Sequence, residues 1–239
     1  PENMGNVSLF VDTSASSAVM MRHRMHALHR VFEGCKRLDL FAFDLDVKEI
    51  QSGLITREQL NLAFERLQTR SCLGATNLVK LVKYVGGLAR KTDIPQSYVI
   101  ASDCTPTAYK RDLHSLLKAL GDWPKQHRLH VLIVGAQEDS QVVDLITKVG
   151  QGRTIRIPLV RDMQDGISHA QKELVRSLGP NVSVEDKSAK WSLPKSFRDV
   201  NSRQELICFS RKSSGNEANW QVSENGVSKD CQIKRIAIP

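Results

Sequence analysis

Val7-Ser8-Leu9-Phe10-Val11 runs directly into Asp12-Thr13-Ser14-Ala15-Ser16-Ser17. An apolar run ended by a carboxylate is the pattern of a strand buried on both faces. The chain then turns helical from about Ala18 to Phe32, with Met21, Met25, Leu28 and Phe32 recurring on one helical face and Gly34 beyond them as a stop. Leu38 to Phe43 reads as a second strand, and Thr56-Arg57-Glu58-Gln59 as the N-cap of an amphipathic helix through Leu67. A helix is predicted from Thr76 to Leu88, with Leu78, Leu81, Val82 and Val85 on one side. Strand Tyr98 to Ser102, a helix around Arg111 to Leu120, strand Leu129 to Val134, helix Ser140 to Val149 and strand Thr154 to Pro158 follow. This alternation predicts an α/β fold: a doubly wound, mostly parallel sheet with helices on both faces.

The character changes after Asp162. The expected division is a main domain over residues 1–162 and, over 163–239, a linking helix and a β-rich extension. The helix is predicted from Ile167 to Leu178, ahead of Gly179-Pro180. Short strands are predicted at Val182 to Val184, Glu205 to Ser210, Asn219 to Val222 and Cys231 to Ile238. Roughly sixty residues are marginal for independent folding, so the extension is expected to pack on the main domain or to complete a sandwich with further strands.

The composition is globular, with 41% hydrophobic and 25% charged residues in 239. No run approaches the length of a membrane helix, and no basic-then-apolar leader opens the chain, which reads as a fragment of a longer protein. A net charge of +8 gives a basic surface, but its Lys and Arg are spread along the chain without interleaved aromatics, which argues against a nucleic-acid partner. Cys35, Cys72, Cys104, Cys208 and Cys231 contain no CxxC pair and are odd in number. That argues against a structural zinc site and a fully paired disulfide framework.

Three pieces stand where strands end or helices begin: Asp12-Thr13-Ser14-Ala15-Ser16, Gly74-Ala75-Thr76-Asn77, and Asp103 after Tyr98 to Ser102. In an open α/β sheet, ligands bind outside the carboxyl ends of the strands, where the strand order reverses. Carboxylate and hydroxyl oxygens, with water, suit a hard divalent cation such as magnesium or manganese. The alternation in Asp-x-Ser-x-Ser lets a turning loop aim several oxygens at one point.

Asp12-x-Ser14-x-Ser16, then Thr76, then Asp103, resembles the metal-ion-dependent adhesion site of von Willebrand factor A-type domains. The resemblance covers roughly residues 6 to 160. It implies a non-enzymatic adhesion or scaffold module binding Mg2+ or Mn2+. Ser14, Ser16 and Thr76 would ligate the ion directly or through water, while Asp12 and Asp103 would hold it mostly through water. The implied partner is another protein whose acidic residue supplies the last ligand. Two positions depart from the family pattern: Ser17 replaces a frequent Met, and Cys104 stands where Gly is usual. The first bears on packing, the second on loop freedom and access to the cation. The tail, with Leu-Gly-Pro-Asn-Val-Ser-Val and Gln-Glu-Leu-Ile-Cys-Phe-Ser, is similar to the inter-alpha-trypsin inhibitor heavy-chain type.

Other readings compete. Asp12, Ser14 and Ser16 suit a helix cap, as does Thr76, but capping does not account for three pieces appearing together. Such a site also permits a structural scaffold that leaves it idle. Asp44-Leu45-Asp46 mimics the DxD motif of haloacid dehalogenase-like, magnesium-dependent phosphohydrolases, a reading that leaves Asp12 to Ser16 unexplained. His23, His26 and His29 recur every third residue without the HExxH spacing, and read as an exposed stripe. No GxSxG elbow surrounds Ser14 or Ser16, which disfavours either as a hydrolase nucleophile.

Overall fold

The computed structural model describes residues 4–18, 21–72, 74–108, 112–135, 138–159 and 163–176, with short stretches at 182–186, 189–193, 196–197, 208–212, 220–224 and 227–228. Two compact units divide between Leu178 and Gly179.

The first unit holds strands β1 (Met4–Asp12), β2 (Cys35–Phe43), β3 (Val47–Leu54), β4 (Ser97–Ala101), β5 (Arg128–Val134) and β6 (Gln151–Ile157). They form one sheet in the order β3-β2-β1-β4-β5-β6. All neighbours are parallel except β3, which runs antiparallel to β2. The expected doubly wound, mostly parallel sheet is therefore present, with its order reversing between β1 and β4.

Among the described residues, six helices cover the faces: α1 (Met21–Phe32), α2 (Arg57–Gln68), α3 (Leu78–Ala89), α4 (Leu113–Leu120), α5 (Ser140–Val149) and α6 (Met163–Arg176). Strand pleating sorts the core into two layers. Leu9 and Val11 pack with Met25 and Leu28 of α1, Phe64 of α2 and Ile167 and Leu174 of α6. Phe10, between them, points the other way and packs with Leu81 and Val85 of α3, Leu116 of α4 and Ile146 of α5. Both faces of β1 are thus dry, which is why its sequence reads as a continuous apolar run.

Helix starts differ from the expected bounds where side chains cap them. Asn77, not Thr76, caps α3, its Oδ1 accepting from the Lys80 N–H at 3.1 Å. Asp112 caps α4, shortening the predicted Arg111 to Leu120 segment to Leu113–Leu120. Thr56 and Gln59 form a reciprocal capping box at α2. Strand β3 was not expected from the sequence. It is a half-exposed sheet edge whose polar Lys48, Glu49, Gln51 and Ser52 dilute the apolar signal. Helix α6 starts earlier than predicted, buries Ile167, Ala170 and Leu174 in the first unit, and donates from Gln171 Nε2 to the Arg30 carbonyl at 2.9 Å. No helix among the described residues is long and apolar enough to cross a membrane.

In the second unit β7 (Val182–Asp186) pairs antiparallel with β11 (Trp220–Glu224) and β9 (Ser196–Phe197), and β12 (Val227–Ser228) joins β11. A separate antiparallel pair joins β8 (Ala189–Leu193) and β10 (Phe209–Lys212). The strand expected from Cys231 to Ile238 lies outside the described residues.

Candidate functional site

Asp12 is the last residue of β1, at the point where the sheet order reverses. The parallel register sets Val11 beside Ala101, so the next residues along, Asp12 and Ser102, face each other. Asp12 is fully buried, and both carboxylate oxygens are engaged: Ser102 Oγ donates to Oδ2 at 2.6 Å, and the Ser14 N–H donates to Oδ1 at 2.9 Å. The second bond curls the loop back on itself and brings the Ser14 and Ser16 hydroxyls within 3.0 Å of each other. A short 3-10 turn, Ala15–Ala18, follows. The described part of α1 starts at Met21, five residues after Ser16.

The second piece is stitched to the first through its backbone. The Ala15 N–H donates to the Gly74 carbonyl at 3.0 Å, and Gly74 adopts a φ of 95° that favours glycine. Two residues on, Thr76 is 1% exposed. Its backbone is held on both sides, the N–H by Thr107 Oγ1 at 2.8 Å and the carbonyl by the N–H groups of Thr107 and Ala108 at 3.3 Å. Among the described residues its hydroxyl is buried with no hydrogen-bond partner. Since Asn77 supplies the α3 cap, capping does not explain this hydroxyl.

The third piece, Asp103, follows β4 on the other side of the reversal. Its carboxyl is pushed above the usual carboxylate range, first by burial and further by the Asp12 charge. A hydrogen bond from the Thr105 N–H at 2.9 Å and the charge of Arg24 pull the other way. The Asp103 carbonyl accepts from the N–H of Asp139, the cap of α5, at 3.1 Å.

Asp12, Ser14 and Ser16 thus lie in one curled loop, Thr76 in a turn bonded to that loop, and Asp103 within the electrostatic reach of Asp12. The donor set is hydroxyl and carboxylate oxygen, and the lone buried Thr76 hydroxyl fits a ligand-completed site better than a purely structural turn. Cys104 does not crowd it: its thiol is fully buried in the apolar layer under α3, α4 and α5. The backbone there has a φ of 55°, a conformation that glycine adopts without strain.

The competing residues have other partners, although Asp44 borders the site through its carbonyl, which accepts from the Asn77 N–H at 3.0 Å. Asp44 pairs with Arg70 at 2.9 Å and Asp46 pairs with Lys80, both in the turn between β2 and β3. His29 bonds Asn61 at 2.7 Å and meets Phe64 edge-on, while His23 and His26 are exposed. Among the described residues no group of three or more His, Cys, Asp or Glu is placed to hold a metal. Sequence reasoning overlooked two residues at the site, Ser102 and Arg24. The serine was legible as a hydroxyl next to Asp103. The arginine, 6% exposed in the first turn of α1, gave no signal apart from interrupting the apolar face that Ala27, Leu28 and Val31 continue.

No curated protein matches the chain. Among solved structures it shares its fold with a von Willebrand factor type A protein from Catenulispora acidiphila, at 13% identity and a TM-score of 0.59, over 92% of this chain and 57% of that one. The ArnB paralog VWA2 from Sulfolobus acidocaldarius aligns at 16% identity and a TM-score of 0.52, over 82% and 53%. Proximal thread matrix protein 1 from the mussel byssus, solved with a zinc-occupied MIDAS motif, aligns at 11% identity and a TM-score of 0.54, over 79% and 50%. The chain therefore spans little more than half the length of these proteins. The model of the von Willebrand factor type A domain matches residues 5–155, through every strand that builds the site and most of the sixth. The chain belongs to the von Willebrand factor type A domain family.

Proposed function

We propose that this chain is a metal-dependent recognition module that binds an acidic group of a partner protein. The observation that carries the reading is the buried, unpartnered Thr76 hydroxyl, in a turn bonded to the loop that gathers Asp12, Ser14 and Ser16. A buried hydroxyl without a partner costs about 1–3 kcal/mol, a penalty relieved by a ligand that takes its lone pair. Ser14, Ser16 and Thr76 are the residues that would hold Mg2+ or Mn2+ directly. Asp12 and Asp103 would act on it mostly through bridging water, with Asp12 held in place by the hydrogen bonds that both its oxygens accept. Bound there, the cation supplies a Lewis-acidic charge with one position open to a carboxylate.

Domains of this family often mediate protein interactions, and a mussel protein of the same fold carries zinc in such a motif, which supports a divalent ion here. Among the described residues no His or Lys bonds to either carboxylate, in keeping with binding and not turnover. The β-rich second unit is in keeping with the inter-alpha-trypsin inhibitor heavy-chain type. The deciding experiment is calorimetric titration of Mg2+ and Mn2+ into the chain and into Asp12→Ala. Binding by the unaltered chain alone supports the assignment, and equal binding by both removes it.

A further inference from the structure

Arg24 presents an unusual charge balance. The residue is 6% exposed, and among the described residues its Nε has no hydrogen-bond partner and its Nη1 donates to the Ser17 carbonyl, at 3.5 Å. Arg24 makes no ion pair with a carboxylate among the described residues. A buried cation in that state carries a desolvation cost that an anion would offset. Ser17 directly follows Ser16, so this contact ties the guanidinium to the end of the curled loop of the candidate site, and its charge favours the ionised forms of Asp103 and Cys72. The other guanidinium nearby, Arg70, is different: it is neutralised by Asp44 at 2.9 Å while its Nε donates to Thr13 Oγ1 at 3.2 Å.

We infer that Arg24 is a charge-coupling residue, which makes the cation and an anionic carboxylate ligand bind cooperatively at this site. The inference rests on the metal-dependent reading above and specifies how that site chooses its ligand. Without a metal, Asp12, Asp103 and Arg24 sum to one negative charge. A divalent cation turns this into one positive charge, and a single carboxylate from outside neutralises it. A site lacking Arg24 would reach neutrality with the cation alone and would bind it more tightly, with less need of the carboxylate. Arg24 therefore weakens the site for metal alone and strengthens the metal-loaded site for a monoanion. By linkage, the carboxylate tightens metal binding by the same factor that the metal tightens carboxylate binding. The favoured partner group is a single Asp or Glu side chain, and neutral hydroxyl or amide groups are disfavoured.

The test is Mn2+ calorimetry on the full chain, Arg24→Gln and Arg24→Lys, each with and without saturating acetate as the carboxylate probe. In the unaltered chain, acetate is expected to tighten Mn2+ binding by about tenfold, within the usual range of coupling between sites. Arg24→Gln is expected to bind Mn2+ more tightly than the unaltered chain without acetate, and to gain less than about twofold from acetate. Arg24→Lys keeps the charge and should keep the coupling. Arg24→Met, which retains the apolar stem, replaces the Gln variant if circular dichroism shows that one unfolded. The same acetate effect in the folded unaltered chain and the charge-removing variant would overturn the inference. Absence of Mn2+ binding by the unaltered chain would instead overturn the reading on which it rests.

Discussion

Replacing Thr76 by Val should make the protein more stable without metal and less stable with it. Valine has the same branching and nearly the same volume as threonine, so the χ1 preference and packing are retained. What is lost is a hydroxyl that is buried and has no partner, in a residue 1% exposed. Leaving such a group unsatisfied costs about 1–3 kcal/mol, and its removal returns that amount to the folded state. In a chain of this size each kcal/mol moves the midpoint by roughly 2–4 °C, so Tm in EDTA is expected to rise by roughly 2–12 °C. Mn2+ at about a hundred times its Kd should stabilise the unaltered chain by about 2.7 kcal/mol, whereas the Val variant, lacking the oxygen, should gain almost nothing. The two proteins would therefore exchange rank between EDTA and Mn2+ in melts followed by helical circular dichroism, a signal that arises from the first unit. A lower Tm for Thr76→Val in EDTA would show that the hydroxyl has a partner in the free protein. Equal stabilisation of both by Mn2+ would show that it is not a ligand.

Ser102→Ala removes the 2.6 Å bond to Asp12 and should cost about 1.5–3 kcal/mol in urea unfolding, with Mn2+ affinity falling about 10–100-fold. Unchanged affinity would show that Ser102 does not position the carboxylate. His130 is buried on β5, its Nδ1 accepting from the Arg153 N–H at 3.1 Å, and burial, aided by the Arg153 and Arg128 charges, lowers its pKa from 6.5 to about 3. The unfolded chain then takes up the proton first, so stability falls as the pH drops from 6.5 toward 3, by about 2 kcal/mol at pH 5. His130→Gln should lose less between pH 7.5 and pH 5 when both are unfolded in urea with EDTA, and an equal loss would assign the acid sensitivity elsewhere. At Cys104, whose φ is 55°, Gly should be tolerated within about 1 kcal/mol because relief of strain offsets the lost packing, while branched Val should cost over about 2 kcal/mol. Thermal melts would refute this if Val proved the milder change.

The runs of β1, β4 and β5 were readable because both of their faces are covered, so apolar residues dominate them and the few polar ones, such as Ser8 and His130, are buried. The edge strand β3 was not, because a strand paired on one side and half-exposed has no continuous signature. The five candidate ligands were visible as oxygen-bearing residues after strands or, for Thr76, just before a helix, and Asp12, Ser14 and Ser16 announce their own turn. Ser102 and Arg24 gain their significance only from tertiary neighbours: one from the β1–β4 register, the other from burial and its contact with Ser17, seven residues earlier. Thr76 was legible as a hydroxyl, but only the identity of the α3 cap as Asn77 separates it from an ordinary capping residue.

The pairing of β1 with β4 has a consequence for synthesis. The Asp12–Ser102 bond joins residues 90 positions apart, so β1, once out of the ribosome, waits for much of the domain before its second neighbour arrives. Until then the nascent chain has an apolar strand with one bare edge, open to pairing with other chains. A transcript truncated before residue 97 would leave that edge permanently bare, and its product should be handled by chaperones and proteases as an unfinished protein.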